Sequence, residues 1–128
     1  MSPHTYRQVI PTRELKSYEH HLLKHLLSLD FPAVANLRKQ VNLLHVNEEC
    51  EDCSSIGFAI EHSKAEAAQV IKTVPVEAEG YDLDSIKIHF LLIVVDGFID
   101  ELEIFREDLL QVKKLPPVET LEILVLDE

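Results

Sequence analysis

The chain has 128 residues, 46% hydrophobic and 27% charged, a length and balance that suit one globular domain and are too apolar for a disordered chain. Its formal charge of −11 is uneven, since residues 1 to 46 hold six Lys/Arg against three Asp/Glu and residues 47 to 128 hold six against twenty. Such a field repels nucleic-acid phosphate and anionic lipid and attracts a basic partner, so neither nucleic acid nor membrane is an expected partner.

Met1 to Ile10 carry His4, Tyr6, Arg7 and Gln8 without an apolar core, so no secretory signal is expected and the location read from the sequence is cytoplasmic. Residues 1–11 read as an N-terminal arm. Thr12 can cap a helix running to about Leu29, with Leu15, Leu22, Leu23, Leu26, Leu27 and Leu29 on one broad face. Asp30 and Pro32 start a second helix, in which Val34, Leu37 and Val41 repeat at helical spacing. Residues 12–41 are therefore expected to form a helical hairpin.

From Asn42 onward the pattern alternates and β-branched residues increase. Leu43–Val46, Ser55–Glu61, Val70–Ala78, Ile86–Val95, Phe98–Arg106 and Leu121–Leu126 are predicted strands, with Pro75 at an edge or bulge. The expected fold is one α+β domain, 1–128, with the helical hairpin packed on a mostly antiparallel sheet of five or six strands over 42–128. Asp96-Gly97 suits a two-residue type I′ turn, and an unbroken ladder from that turn pairs Leu92 with Glu101 and Phe90 with Glu103. On that register Leu91, Ile93, Leu102 and Ile104 lie under the helices, leaving Phe90, Leu92, Glu101, Glu103 and Phe105 on the opposite face. Apolar side chains rimmed by carboxylates make a contact surface, and the expected partner-binding residues are Glu77, Glu79, Asp82, Asp84, Glu101, Glu103 and Phe105.

Signs of other chemistry are weak. Cys50 and Cys53 form a CxxC within Glu48-Glu49-Cys50-Glu51-Asp52-Cys53, but the second pair of zinc ligands is missing and acidic neighbours oppose thiolate formation. Two reduced thiols, no metal and no cofactor are expected. His21 and His25 stand one helical turn apart without the glutamate of an HExxH motif, and no phosphate loop, nucleophile elbow or distinguishable carboxylate pair is present. No catalytic residue is assigned, and an enzyme is not expected.

Val74-Pro75-Val76-Glu77-Ala78-Glu79-Gly80, Asp96-Gly97, Leu102-Glu103-Ile104-Phe105-Arg106 and Leu115-Pro116-Pro117 resemble a family of short, uncharacterised bacterial proteins with an N-terminal helical pair, a CxxC-like loop and PVEAEG and DG…LEIYR segments. These relatives look like immunity proteins of polymorphic toxin or contact-dependent growth inhibition systems. The chain departs from their pattern at Asp108-Leu109-Leu110-Gln111, where they have a Gly-containing turn, and at Cys50 and Cys53, which they space more tightly. The resemblance implies an immunity-type inhibitor that covers the basic cleft of a cognate toxin, expected to be a nuclease. The alternative is an intracellular protein- or ligand-binding module unrelated to toxins, and a carboxylate-pair hydrolase stands third. Oligomeric state is not legible.

Overall fold

The computed structural model describes residues 7–50 and 53–127. The chain begins with β1 (Arg7–Arg13), followed by α1 (Ser17–Leu26), α2 (Val34–Val41), β2 (His45–Cys50), β3 (Ile56–Ala59), β4 (Val76–Tyr81), β5 (Lys87–Val95), β6 (Phe98–Arg106) and β7 (Glu122–Val125). The strands form one seven-stranded sheet in the order β1-β2-β3-β6-β5-β4-β7, and every pairing is antiparallel.

The fold is α+β, with more strands than the five or six expected, and the helices do not open it. Arg7–Arg13 is an edge strand, in place of the end of an arm expected over residues 7–11 and the helix start expected at Thr12 and Arg13; residues 1–6 of that arm lie outside the described residues. Pro11 and a register break between Val9 and Arg13 remove the alternation that would have marked it, and an edge is where a strand tolerates proline. Thr12 belongs to this strand, so α1 starts later: Glu19 Oε1 accepts the Lys16 N–H at 2.8 Å, satisfying a donor at the helix start. At the other end, Arg38 Nε donates to the Leu27 carbonyl at 2.7 Å, joining α2 to the turn that follows α1.

Leu22, Leu23 and Leu26 of α1 and Val34, Leu37 and Val41 of α2 are buried in one core with Val76, Ala78, Ile88, Phe90, Leu92, Ile99, Leu102 and Ile104 of the sheet. Both helices therefore cover the same face. Each fully buried Leu or Ile contributes roughly 1.5–3 kcal/mol of transfer free energy, so this face dominates stability.

The β5–β6 hairpin turns as expected, with Asp96 at φ 53° and Gly97 at φ 86°. The expected register fails two residues later. Val94 pairs with Ile99 but Ile93 pairs with Glu101, which leaves Asp100 as an extra residue in a bulge. A one-residue slip exchanges faces: Phe90 and Leu92, expected outside, lie under the helices, whereas Leu91 and Ile93, expected inside, are half-buried on the other face. Leu102 and Ile104 face the helices as expected.

The bulge is braced from α2. Gln40, 1% exposed, accepts the Ile99 N–H through Oε1 at 2.9 Å and donates through Nε2 to Gly97 O at 2.9 Å and Glu66 O at 2.8 Å. A buried side chain thus supplies the acceptor for the Ile99 amide beside the interrupted ladder.

Strand β4 starts six residues later than the expected Val70. In its place, Asp127 Oδ1 accepts the Ile71 and Lys72 amides, each at 2.7 Å, and holds Val70–Thr73 as a loop. Pro75 stands immediately before β4, where its carbonyl accepts the Leu126 and Asp127 amides at 2.8 and 3.0 Å.

Candidate functional site

The sheet face away from the helices is built from three transverse rows that the register defines. Glu103, Leu91, Glu77 and Leu124 lie across β6, β5, β4 and β7; Phe105, His89, Glu79 and Glu122 form the next row. Toward the opposite edge, Glu48, Gly57, Glu101 and Ile93 lie across β2, β3, β6 and β5. Leu91 and Ile93 thus run down β5 between the carboxylates of β4 and β6, with Phe105 beside them. Neither α1 nor α2 covers this face, and at its turn end His62 stacks on Phe98 with ring centroids 3.9 Å apart.

Among the described residues its ion pairs leave an excess of negative charge. Arg7 bridges Glu48, at 3.3 Å, and Glu101, and Lys87 Nζ lies 3.6 Å from Glu79. His89 stacks on Phe105 with ring centroids 5.1 Å apart, and its Nε2 lies 3.3 Å from Glu107 Oε1. Among the described residues, the carboxylates of this face outnumber Arg7 and Lys87, the permanent cations that ion pairs set among them. A low-dielectric apolar strip between rows of one sign concentrates a field that attracts positive charge.

Five of the seven expected contact residues, Glu77, Glu79, Glu101, Glu103 and Phe105, share this face. Glu103 is 8% exposed, so it lines the face more than it projects from it. Asp82 and Asp84 instead hold Arg106, itself 2% exposed. Arg106 Nη1 donates to Asp82 at 3.0 Å and Asp84 at 3.1 Å, and Nη2 to Asp108 at 2.6 Å. Asp82 also accepts the backbone amides of Leu83, Lys113 and Lys114 at 2.7, 2.7 and 3.0 Å. Burial alone would raise its pKa, but the backbone donors and Arg106 outweigh that and hold it at about 2. This cluster ties the 107–117 segment to the β4–β5 turn, and the side chain of Asp82 is inaccessible to a partner.

His89, Leu91, Ile93 and Arg7 belong to the face although the sequence reading did not select them. A signal was present in Ile99-Asp100-Glu101-Leu102, where two consecutive acids interrupt a period-two strand, as an extra residue does.

A second feature lies on the helix side, a cavity of about 390 Å³ lined in part by Arg13, Tyr18, Glu19, Cys50, Cys53 and Ile104. Three of its charged groups, Arg13, Glu19 and Glu49, are paired with one another. Arg13 forms a fork with Glu19, both bonds at 2.9 Å, and reaches Glu49 at 2.8 Å. Burial would raise the Glu19 pKa, but bonds from Arg13 and the Lys16 amide bring it below the ordinary range. Burial, then the charge of Glu119, pushes the Tyr18 hydroxyl up to about 12, and that hydroxyl donates to Pro116 O at 2.6 Å. Cys50 and Cys53 are joined in a disulfide, which corrects the expectation of two thiols: the CxxC bridges the β2–β3 turn across Glu51 and Asp52, which lie outside the described residues. Among the described residues no group of three His, Cys, Asp or Glu is arranged to hold a metal, and no helix is long and apolar enough to cross a membrane.

No curated protein and no solved structure matches the chain. A family model does, over residues 12–116, so the match runs from the end of β1 through β6 and stops before β7. The chain belongs to the family described as a domain of unknown function, DUF6984.

Proposed function

We propose that this chain is an immunity-type binding protein whose sheet face away from α1 and α2 docks on the basic surface of a cognate toxin domain, a nuclease. The observation that carries the reading is the apolar strip of Leu91 and Ile93 on β5 set between Glu77 and Glu79 of β4 and Glu101 and Glu103 of β6, with Phe105 next along β6. A nuclease cleft must attract phosphate with Lys and Arg, so an acidic face can occupy it as an electrostatic mimic. The toxin identity draws on the sequence resemblance, and the cytoplasmic location belongs to the same reading.

The test uses the protein encoded beside this chain's gene, purified and mixed with it at 50 to 500 mM salt. Steered association exceeds the unsteered rate of about 10⁵–10⁶ M⁻¹s⁻¹ and falls as salt is added, while dissociation changes less. Glu77→Lys slows association, whereas Glu14→Lys, at an exposed position ahead of α1, does not. Glu77 is the better probe because Glu101 is held by Arg7. Association insensitive to salt and to Glu77→Lys refutes the reading. The cavity supports a second reading as a ligand-binding module, because its volume of about 390 Å³ falls within the range of small-molecule sites.

A further inference from the structure

We infer that the Cys50–Cys53 disulfide is a redox latch on the edge strand β1, and that opening it withdraws Arg7 from Glu101 on the acidic sheet face. Cys50 is the last residue of β2 and the register partner of Arg7, the first described residue of β1. Among the described residues strand β1 pairs with one strand, β2, so its order depends on how firmly the end of β2 is held. Strand β3 has an anchor of its own. Ser55, 1% exposed, accepts the Ile104 amide through Oγ at 2.8 Å and donates to the Ile104 carbonyl at 3.3 Å. The Cys50 N–H also donates to Ser55 O, at a long 3.3 Å, so opening the disulfide leaves that long bond as the tie from Cys50 to the Ser55 anchor and loosens the end of β2 and β1 with it, while β3 and β6 remain joined.

The two sulfurs differ in access. Cys50 is 8% exposed and Cys53 is partly exposed in the turn, so Cys53 is the sulfur attacked. A thiolate of a dithiol bonds to Cys53 Sγ, the S–S bond breaks, and Cys50 leaves as a thiolate that takes a proton from water. The second thiol of the dithiol, deprotonated, attacks its partner sulfur in the mixed disulfide and releases Cys53, which is protonated in turn. The protein gains two electrons and two protons, and the dithiol ends as a cyclic disulfide. Glu48, Glu49, Glu51 and Asp52 surround the pair in sequence and repel anionic thiols, so a neutral dithiol opens the latch faster than glutathione, and salt narrows the difference. A reducing cytosol favours the open form.

The consequence for Glu101 rests on the docking reading; the latch does not. Amide hydrogen exchange on the full chain, with and without dithiothreitol, tests the latch without a partner. Reduction is expected to raise exchange over Arg7–Val9 about tenfold and leave β5 and β6 unchanged. The Cys50→Ser/Cys53→Ser double variant should exchange like the reduced protein and ignore dithiothreitol. Unchanged exchange in β1, equal acceleration in β5 and β6, or two titratable thiols in unreduced protein overturns the latch. A latch that opens while salt-dependent partner association fails to appear refutes the docking surface alone.

Discussion

Replacing Gln40 with Leu keeps the size of a side chain that is 1% exposed but removes three hydrogen bonds, two to the β5–β6 turn beside its bulge and one to Glu66 O in the loop before β4. The losses are unequal. Gly97 O keeps the Ala68 amide at 2.8 Å, and Glu66 lies at an exposed position where water can replace the amide. The Ile99 N–H, in a residue 1% exposed, loses its acceptor. An unsatisfied buried donor costs about 1–3 kcal/mol, and the other two bonds bring the expected loss to about 3 kcal/mol. With a urea slope of about 2 kcal/mol per molar, the unfolding midpoint falls by about 1.5 M at unchanged slope. The hairpin should not slip into the bulge-free register. That slip would turn Leu102 and Ile104 outward and Glu101 and Glu103 inward, at a cost on the order of 5 kcal/mol. Urea unfolding gives the magnitude, and cross-strand nuclear Overhauser contacts between Ile93 and Glu101 report the register. A midpoint within 0.3 M of wild type, as an order-of-magnitude threshold, would show that Gln40 is not what stabilises the bulge, and loss of the Ile93–Glu101 contacts with the fold intact would refute the claim that burial of Leu102 and Ile104 holds the register without it.

Gly97→Val should destabilise by about 3 kcal/mol, because φ is positive and the new Cβ would lie 2.9 Å from the Ala68 carbonyl oxygen; a neutral result in thermal unfolding would contradict the turn geometry. Leu92→Ala should cost about 2–5 kcal/mol and Leu91→Ala clearly less, and equal losses in chemical unfolding would contradict the face assignment. Asp82 is held at about 2 against an ordinary 3.8, so its stabilising contribution is complete above the ordinary value and is lost as pH falls toward about 2. Stability measured across that window should decline less steeply in Asp82→Asn than in wild type, and parallel curves would refute the assignment.

The sequence was most informative where a local pattern has a single spatial outcome. Leu22, Leu23 and Leu26 repeat at helical spacing, Asp96-Gly97 meets the dihedral demand of a tight turn, and Ile86–Val95 and Phe98–Arg106 contain strands β5 and β6. Glu77 and Glu79 share a face because a strand alternates, and the same rule put Glu101, Glu103 and Phe105 together. Local patterns could not resolve interactions between distant segments. Edge strand β1 lacks a periodic signature because only one of its edges is paired and Pro11 interrupts it.

Asp82 and Asp84 read as surface acids until the chain brings Arg106 between them, from 24 and 22 residues away. The disulfide follows from the β2–β3 turn, which brings together two cysteines whose acidic neighbours suggested only that thiolates were disfavoured. The deciding case is the Asp100 bulge. Composition and alternation determine that β6 has an apolar face and an acidic face. Which face of β5 lies beside each one depends on one residue, and Gln40, 59 positions from Ile99, supplies the buried acceptor that stabilises the extra residue. Tertiary structure therefore placed Leu91 and Ile93 among the carboxylates and Phe90 and Leu92 beneath the helices.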